Sequence, residues 1–442
     1  MLKVVEAFSG IGSQAKALEN LYIDHEILCT VDWDINAIIA YDLIHNGKQQ
    51  LEKYEKYNKD KLINILSKYT LSRDGKKPLE YKYLKKYNEE FLRSLYAAID
   101  RTNNLVSITD VKGSDLPNDI DLLTYSFPCQ DLSVAGYWHG NKGGIDRNAN
   151  NRSGMLWEVE RILLERQERK LKLPKMLLME NVSNILAARN IENFRDWQSS
   201  LSRMGYYNEV FTLNASNFGI PQKRVRTYML SVLCTTEKEK INVEKFFFEN
   251  NLEKHFLCKK MQKLENFIKV DYTNETYKKE ADMAQANNTP SRVDIYNDNI
   301  KILEKGKVKD IIVPTVTTKQ DRHPNSGVID YYIGDKTKCQ YRFLTPRECF
   351  LLMGFEEEDY NVLLDNQMYT YGNNVLFSNE RLYKLAGNSI VVNVLEEIFK
   401  QVDYINNNIL LEEKTRSKID IFKEKYKKVV NYNNSYEENE VY

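Results

Sequence analysis

Four short stretches of this chain carry residue types that could do chemistry. The first is Ser126-Phe127-Pro128-Cys129-Gln130, in which a cysteine directly follows a proline. Proline fixes its own φ and restricts the residue before it, so the thiol stands on a stiff turn. As thiolate it could serve as a nucleophile, whereas a lone cysteine is otherwise more often a small buried hydrophobe. The second stretch, Gly10-Ile11-Gly12-Ser13-Gln14-Ala15, fits G-x-G-x-x-[G/A], and Asp32 lies 20 residues beyond Gly12. Glycines so placed allow a tight turn and close backbone approach, and the carboxylate suits a ribose, which points to an adenosine-containing cofactor. Asp32 as a plain loop carboxylate and Trp33 as core are the competing readings. Third, Glu180-Asn181-Val182 offers a carboxylate that could bond a ring nitrogen or cap a following helix. Fourth, Gln222, Arg224 and Arg226 alternate along the start of a strand and so share one face, suiting an anion or an exposed edge.

Apolar runs supply the elements that must position these stretches. Residues 2–8 read as a first strand, a helix follows the glycine turn to about Asn20, and a second strand near residues 27–31 ends in Asp32-Trp33-Asp34. Such a βαβ unit usually builds a parallel sheet. Further strands are predicted at 106–108, 122–125, 176–179 and 226–232, and a helix from Met155 to about Leu171. Cys129 and Glu180 would then both emerge at carboxyl ends of strands, where open α/β sheets hold their ligands. Residues 47–104 turn to Lys, Tyr, Leu and Glu at helical spacing and read as a mostly helical insertion with a solvated face. Residues 140–152, rich in Gly and Asn, read as a mobile loop. From 233 to 340 the pattern becomes irregular and polar, which predicts a second domain of different architecture. Thr345-Pro346-Arg347-Glu348 has the form of a capped helix start. An amphipathic segment at 389–402 precedes a charged helical tail.

Composition excludes more than it identifies. Lys+Arg and Asp+Glu each number 63, so net charge gives no hint of a nucleic-acid partner, although a neutral total can hide a basic cleft. Six cysteines (29, 129, 234, 258, 339 and 349) form no C-x-x-C pair. That argues against zinc and against a disulfide scaffold, and fits a reducing cytosol. No apolar run approaches the roughly 18 residues of a membrane span, and the first strand begins almost at Met1, leaving no signal peptide. A cytoplasmic protein without a metal site is expected.

In chain order, Phe8-Ser9-Gly10-Ile11-Gly12, Asp32-Trp33, Asp110-Val111, Phe127-Pro128-Cys129-Gln130, Arg152 to Leu156, Glu180-Asn181-Val182, Gln222-x-Arg224-x-Arg226, Leu344 to Glu348 and Gly387-Asn388-Ser389 resemble the motif series of the DNA cytosine-5 methyltransferases. The likeness covers about residues 1–46, 105–232 and 342–400. It implies an α/β fold: a Rossmann-like S-adenosylmethionine-dependent methyltransferase domain with a smaller, irregular target-recognition domain. The domains it implies are 1–232 for catalysis, with the insertion at about 47–104, and 233–380 for recognition. Residues 381–402 would return to the catalytic domain, followed by a charged tail at 403–442. The implied partner is double-stranded DNA, with a cognate restriction endonuclease as a functional companion and a monomer as the expected state.

The resemblance also implies roles. Cys129 would attack C6 of a flipped-out cytosine, Glu180 would hold the N3 and N4 edge, Arg226 would bind O2, and Arg224 would support the glutamate and its loop. Positive charge nearby is expected to lower the Cys129 pKa. For S-adenosylmethionine, Phe8 would stack on the adenine, Gly10 and Gly12 would admit the methionine end, and Asp32 would take the ribose hydroxyls. Trp33 would flank the adenine, Asp110 with Val111 would meet its amino group, and Phe127, Leu156, Asn388 and Ile390 would complete the walls. The loop at about 130–152 would close over the base. Gln130, Ser133, Gln222, Thr315, Lys319 and Arg322 are the expected DNA contacts. Residues 314–322 resemble the family's Thr-Leu element with Val316 in place of leucine, and Ser13 stands where many relatives have glycine. The nearest rival, a tRNA cytosine-5 methyltransferase, would carry a Cys-Phe-Thr element that is absent here. A nicotinamide dehydrogenase leaves Pro-Cys, Glu-Asn-Val and Gln-x-Arg-x-Arg unexplained.

Overall fold

A computed structural model describes residues 1–129, 132, 144–147, 153–254 and 260–410. Gln130, Ser133, Arg152, Cys258, most of the 130–152 loop and the tail from 411 onward lie outside the described residues.

The first strand, β1 (Leu2–Ala7), lies inside a sheet whose order is β2 (His25–Val31), β1, β3 (Leu122–Tyr125), β4 (Met176–Val182), β7 (Val225–Leu233), β5 (Tyr206–Asn214). Alternation decides which layer each side chain joins. Val4, Leu122, Met176 and Leu178 enter one apolar cluster; Val5, Ala7, Leu123, Leu177 and Met179 enter the other. Both faces are therefore covered, as a largely parallel sheet requires. β1 pairs in parallel with β2 and β3, and β3 with β4, but β7 runs antiparallel to β4 and β5. The sheet is thus mixed rather than purely parallel.

Two local expectations are corrected. Residues 106–108 form no strand: Val106 sits at φ +67°, and its N–H is taken by the Asn104 side chain at 2.7 Å instead of a ladder partner. β4 does not stop at Met179 but continues to Val182, because β7 pairs with it through Arg226. Glu180 is consequently a strand residue and not a helix cap.

The insertion is helical where the spacing predicts it, at Lys59–Leu66, Tyr81–Leu84 and Glu89–Arg101. It is more than a solvated appendage. Phe91, Leu92, Leu95 and Leu62 join Ile38, Ile39 and Leu43 of α2 (Ile35–Asn46) in the core. Burying each such side chain stabilises the fold by about 1.5–3 kcal/mol. Beyond β7 lies a three-stranded antiparallel sheet of Val328–Asp330, Lys338–Phe343 and Gln285–Asn287. Thr345 and Glu348 form the expected capping box, with Pro346 in the first turn. The helix Val392–Tyr404 then packs back on α1 (Ser13–Asn20). No described helix is long and apolar enough to cross a membrane.

Candidate active site

Cys129 leaves the end of β3 on a turn held from two sides. The Ser153 hydroxyl donates to Pro128 O at 2.8 Å, and the buried Asn181 amide donates to Phe127 O at 3.0 Å. Asn181 thus braces the Pro-Cys turn, a role its place in Glu-Asn-Val did not reveal. On β4 and β7, Glu180 lies opposite Tyr228 and Val182 opposite Arg226, so Glu180 and Arg226 are diagonal neighbours on one face. Arg226 Nε stands 3.4 Å from Glu180 Oε1. Cys129, Glu180 and Arg226 line one cavity of about 190 Å³.

The electrostatics of this corner are set by burial. Desolvation pushes the Glu180 carboxyl up, and Arg226 and Arg224 pull it back only in part. Burial likewise raises the Cys129 thiol, with Arg226 and Arg224 opposing and Glu180 reinforcing the rise. The expected lowering of the Cys129 pKa is therefore corrected: the arginines are near, but the apolar enclosure outweighs them.

The same cavity continues to the glycine turn, where Phe8, Gly10, Asp32, Trp33, Phe127 and Asn388 form its wall. Phe8 has φ 57°, backbone strain of a kind that concentrates at functional sites, and Gly10 has φ 55°, which glycine adopts without strain. Gly12 shapes the turn from behind: a Cβ there would lie 2.1 Å from His45 Nε2, which donates to Ile11 O at 3.1 Å. Asp32 accepts from Gly10 N–H and from Asp34 N–H, each at 2.9 Å, and burial pushes its carboxyl up to about 6.

Of the other expected site residues, Arg224 lines the same cavity and several are placed elsewhere. Asp110 is exposed and outside the cavity, because the chain turns at residues 107–110 (Asp110 N–H to Ser107 O, 2.9 Å). Ser107 and Ile108 take the wall position instead, aimed there by the unusual φ of Val106. Val111, Leu156 and Ile390 are core residues, and their neighbours Met155 and Ser389 face the cavity. Gln222 is fully buried, its amide spent on Leu352 O and Val316 N–H (2.8 and 2.9 Å), so it does not reach DNA. Arg224 makes no hydrogen bond to Glu180. It clamps the backbone carbonyls of Val316, Gly387 and Ser389 at 2.8–3.1 Å. The expected shared face of Gln222, Arg224 and Arg226 is broken because the strand is interrupted at Arg224. The Thr315 hydroxyl donates to Lys223 O, which sets residues 313–318 beside that break. Lys319 is exposed, and Arg322 pairs with Asp321 and Glu380.

Residues absent from the motif series also line the cavity: Asp34, Asp74, Gly75 and Lys384. Asp74 and Gly75 belong to the insertion, and no local pattern marks them.

Comparison with known proteins agrees with this geometry. The family model described as C-5 cytosine-specific DNA methylase matches residues 80–403. The orphan methyltransferase M.SssI of Spiroplasma monobiae is 34% identical over 91% of this chain and 97% of its own length. The type II methyltransferase M2.ScrFI of Lactococcus lactis subsp. cremoris is 33% identical over 91% and 99%. Among solved structures, the S. pombe Dnmt2 methyltransferase superposes with a TM-score of 0.55 at 18% identity, covering 92% of this chain and all of that one, a likeness of fold. With Cys129, Glu180, Arg226, Gly10 and Asp32 on one cavity and its family model spanning most of the chain, the protein belongs to the C-5 cytosine-specific DNA methylases and is a DNA cytosine-5 methyltransferase.

Proposed function

We propose that Cys129 is the nucleophile, with Glu180 and Arg226 gripping the target cytosine and the glycine-turn half of the cavity holding S-adenosylmethionine. One observation carries this reading: the thiol, the carboxyl and the guanidinium share a cavity with Gly10, Asp32 and Trp33. A base and an adenosine-bearing cofactor would meet there. The cofactor half fits its ligand in kind. A buried carboxylate, a positive-φ glycine turn and two aromatic rings match a ribose, a close-lying main chain and an adenine.

C5 of cytosine is a poor nucleophile until a group adds at C6. The Cys129 thiolate forms the bond to C6, and the electrons displaced from the C5–C6 double bond make C5 an enamine carbon. Glu180, whose carboxyl burial pushes up, holds the N3 and N4 edge and favours the N3-protonated ring, which stabilises that adduct. Arg226 donates to O2 and fixes the ring's orientation. S-adenosylmethionine, when bound, supplies the methyl group that C5 receives. A base, a role a water molecule can fill, takes the C5 proton, and Cys129 leaves as thiolate by β-elimination, restoring the aromatic ring. The base must leave the duplex to reach the site, at a cost of roughly a few kcal/mol.

Thr315, Lys319 and Arg322 carry the DNA-facing part of this reading, and Gln130 and Ser133, the other expected DNA contacts, lie outside the described residues. The same reading takes the enzyme as a cytoplasmic monomer. It works alone or beside a restriction endonuclease, as the printed names of its relatives, one orphan and one type II, would each suit.

Incubation with labelled S-adenosylmethionine and either duplex DNA or tRNA tests the proposal. Label is expected in DNA cytosine. Labelled tRNA with unlabelled DNA would refute it.

A further inference from the structure

The turn at residues 72–78 belongs to the helical insertion, yet Asp74 and Gly75 line the same cavity as Asp32 and Trp33. Ser72 N–H donates to Trp33 O at 2.7 Å, and Ile35 N–H donates to Ser72 O at 3.0 Å, so the turn runs as an extra rung beside Asp34. The Asp74 carboxylate closes the turn by accepting from the N–H groups of Lys76 and Lys77 at 2.9 and 3.2 Å. That leaves the Asp74 carbonyl facing Lys384, which comes from the helix Asn379–Asn388, three residues before Gly387. The Lys384 ammonium donates to the Asp34 carboxylate and, at 2.7 Å, to Asp74 O. Two of its three donors are thereby committed to two different segments. Gly75 has φ +63°, which favours glycine, and a Cβ there would lie 3.3 Å from both Asp34 Oδ2 and Lys384 Nζ and press on the pair.

We infer that Lys384 is a positioning residue that latches the insertion turn onto Asp32-Trp33-Asp34, making that turn the outer wall of the cofactor cavity. The inference rests on the proposed seating of S-adenosylmethionine against Asp32 and Trp33. Asp34, Asp74, Gly75 and Lys384 line the same cavity as those two residues, and the turn is bonded to Trp33 directly. The lysine ammonium is three-quarters shielded and the Asp34 carboxylate nine-tenths shielded from solvent, which protects the pair from screening. With the latch open, the insertion turn beside Trp33 and Asp34 would have to be ordered by the cofactor itself. Affinity for the cofactor would fall while the chemistry at Cys129 stayed intact.

The test uses the full-length protein and its Lys384→Met, Lys384→Arg and Gly75→Val variants. S-adenosylmethionine binding is measured calorimetrically without DNA, and KM for each substrate is measured with duplex DNA present. Lys384→Met is expected to weaken cofactor binding about ten-fold, the size of a lost charge-assisted contact. KM for S-adenosylmethionine should rise in step, while kcat and KM for DNA stay within about two-fold. Lys384→Arg should restore most of the affinity, and Gly75→Val should reproduce the loss with every charge in place. Unchanged affinity in folded Lys384→Met overturns the latch, as does a fall in kcat or DNA affinity equal to the cofactor effect. If Lys384→Met does not fold, Gly75→Val decides by the same criteria. A wild-type protein that binds no S-adenosylmethionine overturns the cofactor assignment itself, a result distinct from failure of the latch alone.

Discussion

Of the arginine–glutamate pairs buried among the described residues, Arg342–Glu348 and Arg226–Glu180 are built differently. Arg342 and Glu348 are both 0% exposed and meet in a fork, Nη1 to Oε2 at 2.9 Å and Nη2 to Oε1 at 2.8 Å. The remaining capacity of the pair is consumed by protein. Arg342 also donates to the Tyr272 hydroxyl, Phe343 O and Lys269 O, and Glu348 accepts from the N–H groups of Lys269 and Thr345. Arg226 and Glu180 touch through one nitrogen and one oxygen at 3.4 Å, 17% and 12% exposed. Among the described residues Glu180 accepts no hydrogen bond, and burial has raised its carboxyl. A buried pair with every partner present holds a fold together. A buried pair left short of partners, at a cavity, has donors and acceptors to offer a ligand.

Substitutions can break or sharpen this contrast. The largest effect is expected at the thiol beside the short-handed pair. Cys129→Ser should lower kcat by about 10⁴-fold or more, as loss of a covalent nucleophile does, while S-adenosylmethionine binding measured calorimetrically stays nearly intact. Wild type, but not this variant, should form a gel-stable adduct with duplexes containing 5-fluorocytosine. Because burial raises the thiol's pKa, alkylation of Cys129 by iodoacetamide should be slow at neutral pH and accelerate as pH climbs. Rapid alkylation at pH 7 would show that the arginines outweigh burial after all.

Next in size is the structural pair. Arg342→Met leaves Glu348 buried and unpaired, and should cost about 3–5 kcal/mol of stability in chemical denaturation. The converse follows for Arg226→Ala: kcat/KM should fall by about 10²–10³-fold, the scale of one lost electrostatic contact to a reacting group, with a midpoint of unfolding close to wild type. If Arg226→Ala unfolds the protein and Arg342→Met does not, the contrast between the pairs is wrong.

The smallest effect concerns Glu6 in β1, buried among Tyr41, His45 and Glu19, whose carboxyl burial pushes up to about 7. A raised pKa means the fold favours the protonated form. Its stabilising contribution is complete below the ordinary carboxylate pKa near 4.5 and is lost as pH rises through 7. Glu6→Gln should therefore match wild type near pH 4 and unfold higher at pH 8, by about 1–3 °C in a thermal scan. An equal gap at both pH values would mean that Glu6 does not titrate in this range.

Much of the fold was legible in short spans of sequence. The capping box at Thr345 and Glu348, the glycine turn before α1 and the alternation along β1 and β4 depend on neighbours a few residues away, and the structure contains all of them. The strand expected at 106–108 failed for a local reason that apolar pattern cannot show: a β-branched residue at positive φ. The misplacement of Asp110 followed from that turn. Gln222 looked like a DNA contact because a polar residue beside arginines reads as exposed, and only the approach of Val316 and Leu352 buries it.

By itself the sequence determined which residues could react, the order of the strands that carry them and the family they belong to, because residue type, spacing and alternation are properties of the chain. The tertiary structure alone decided that Glu180 and Arg226 are diagonal partners, that burial raises the Cys129 thiol, and that Lys384 joins an insertion to Asp34, 350 residues away. Those outcomes depend on strand register, on the water excluded when layers close, and on contacts between segments remote in sequence, none of which a local pattern encodes.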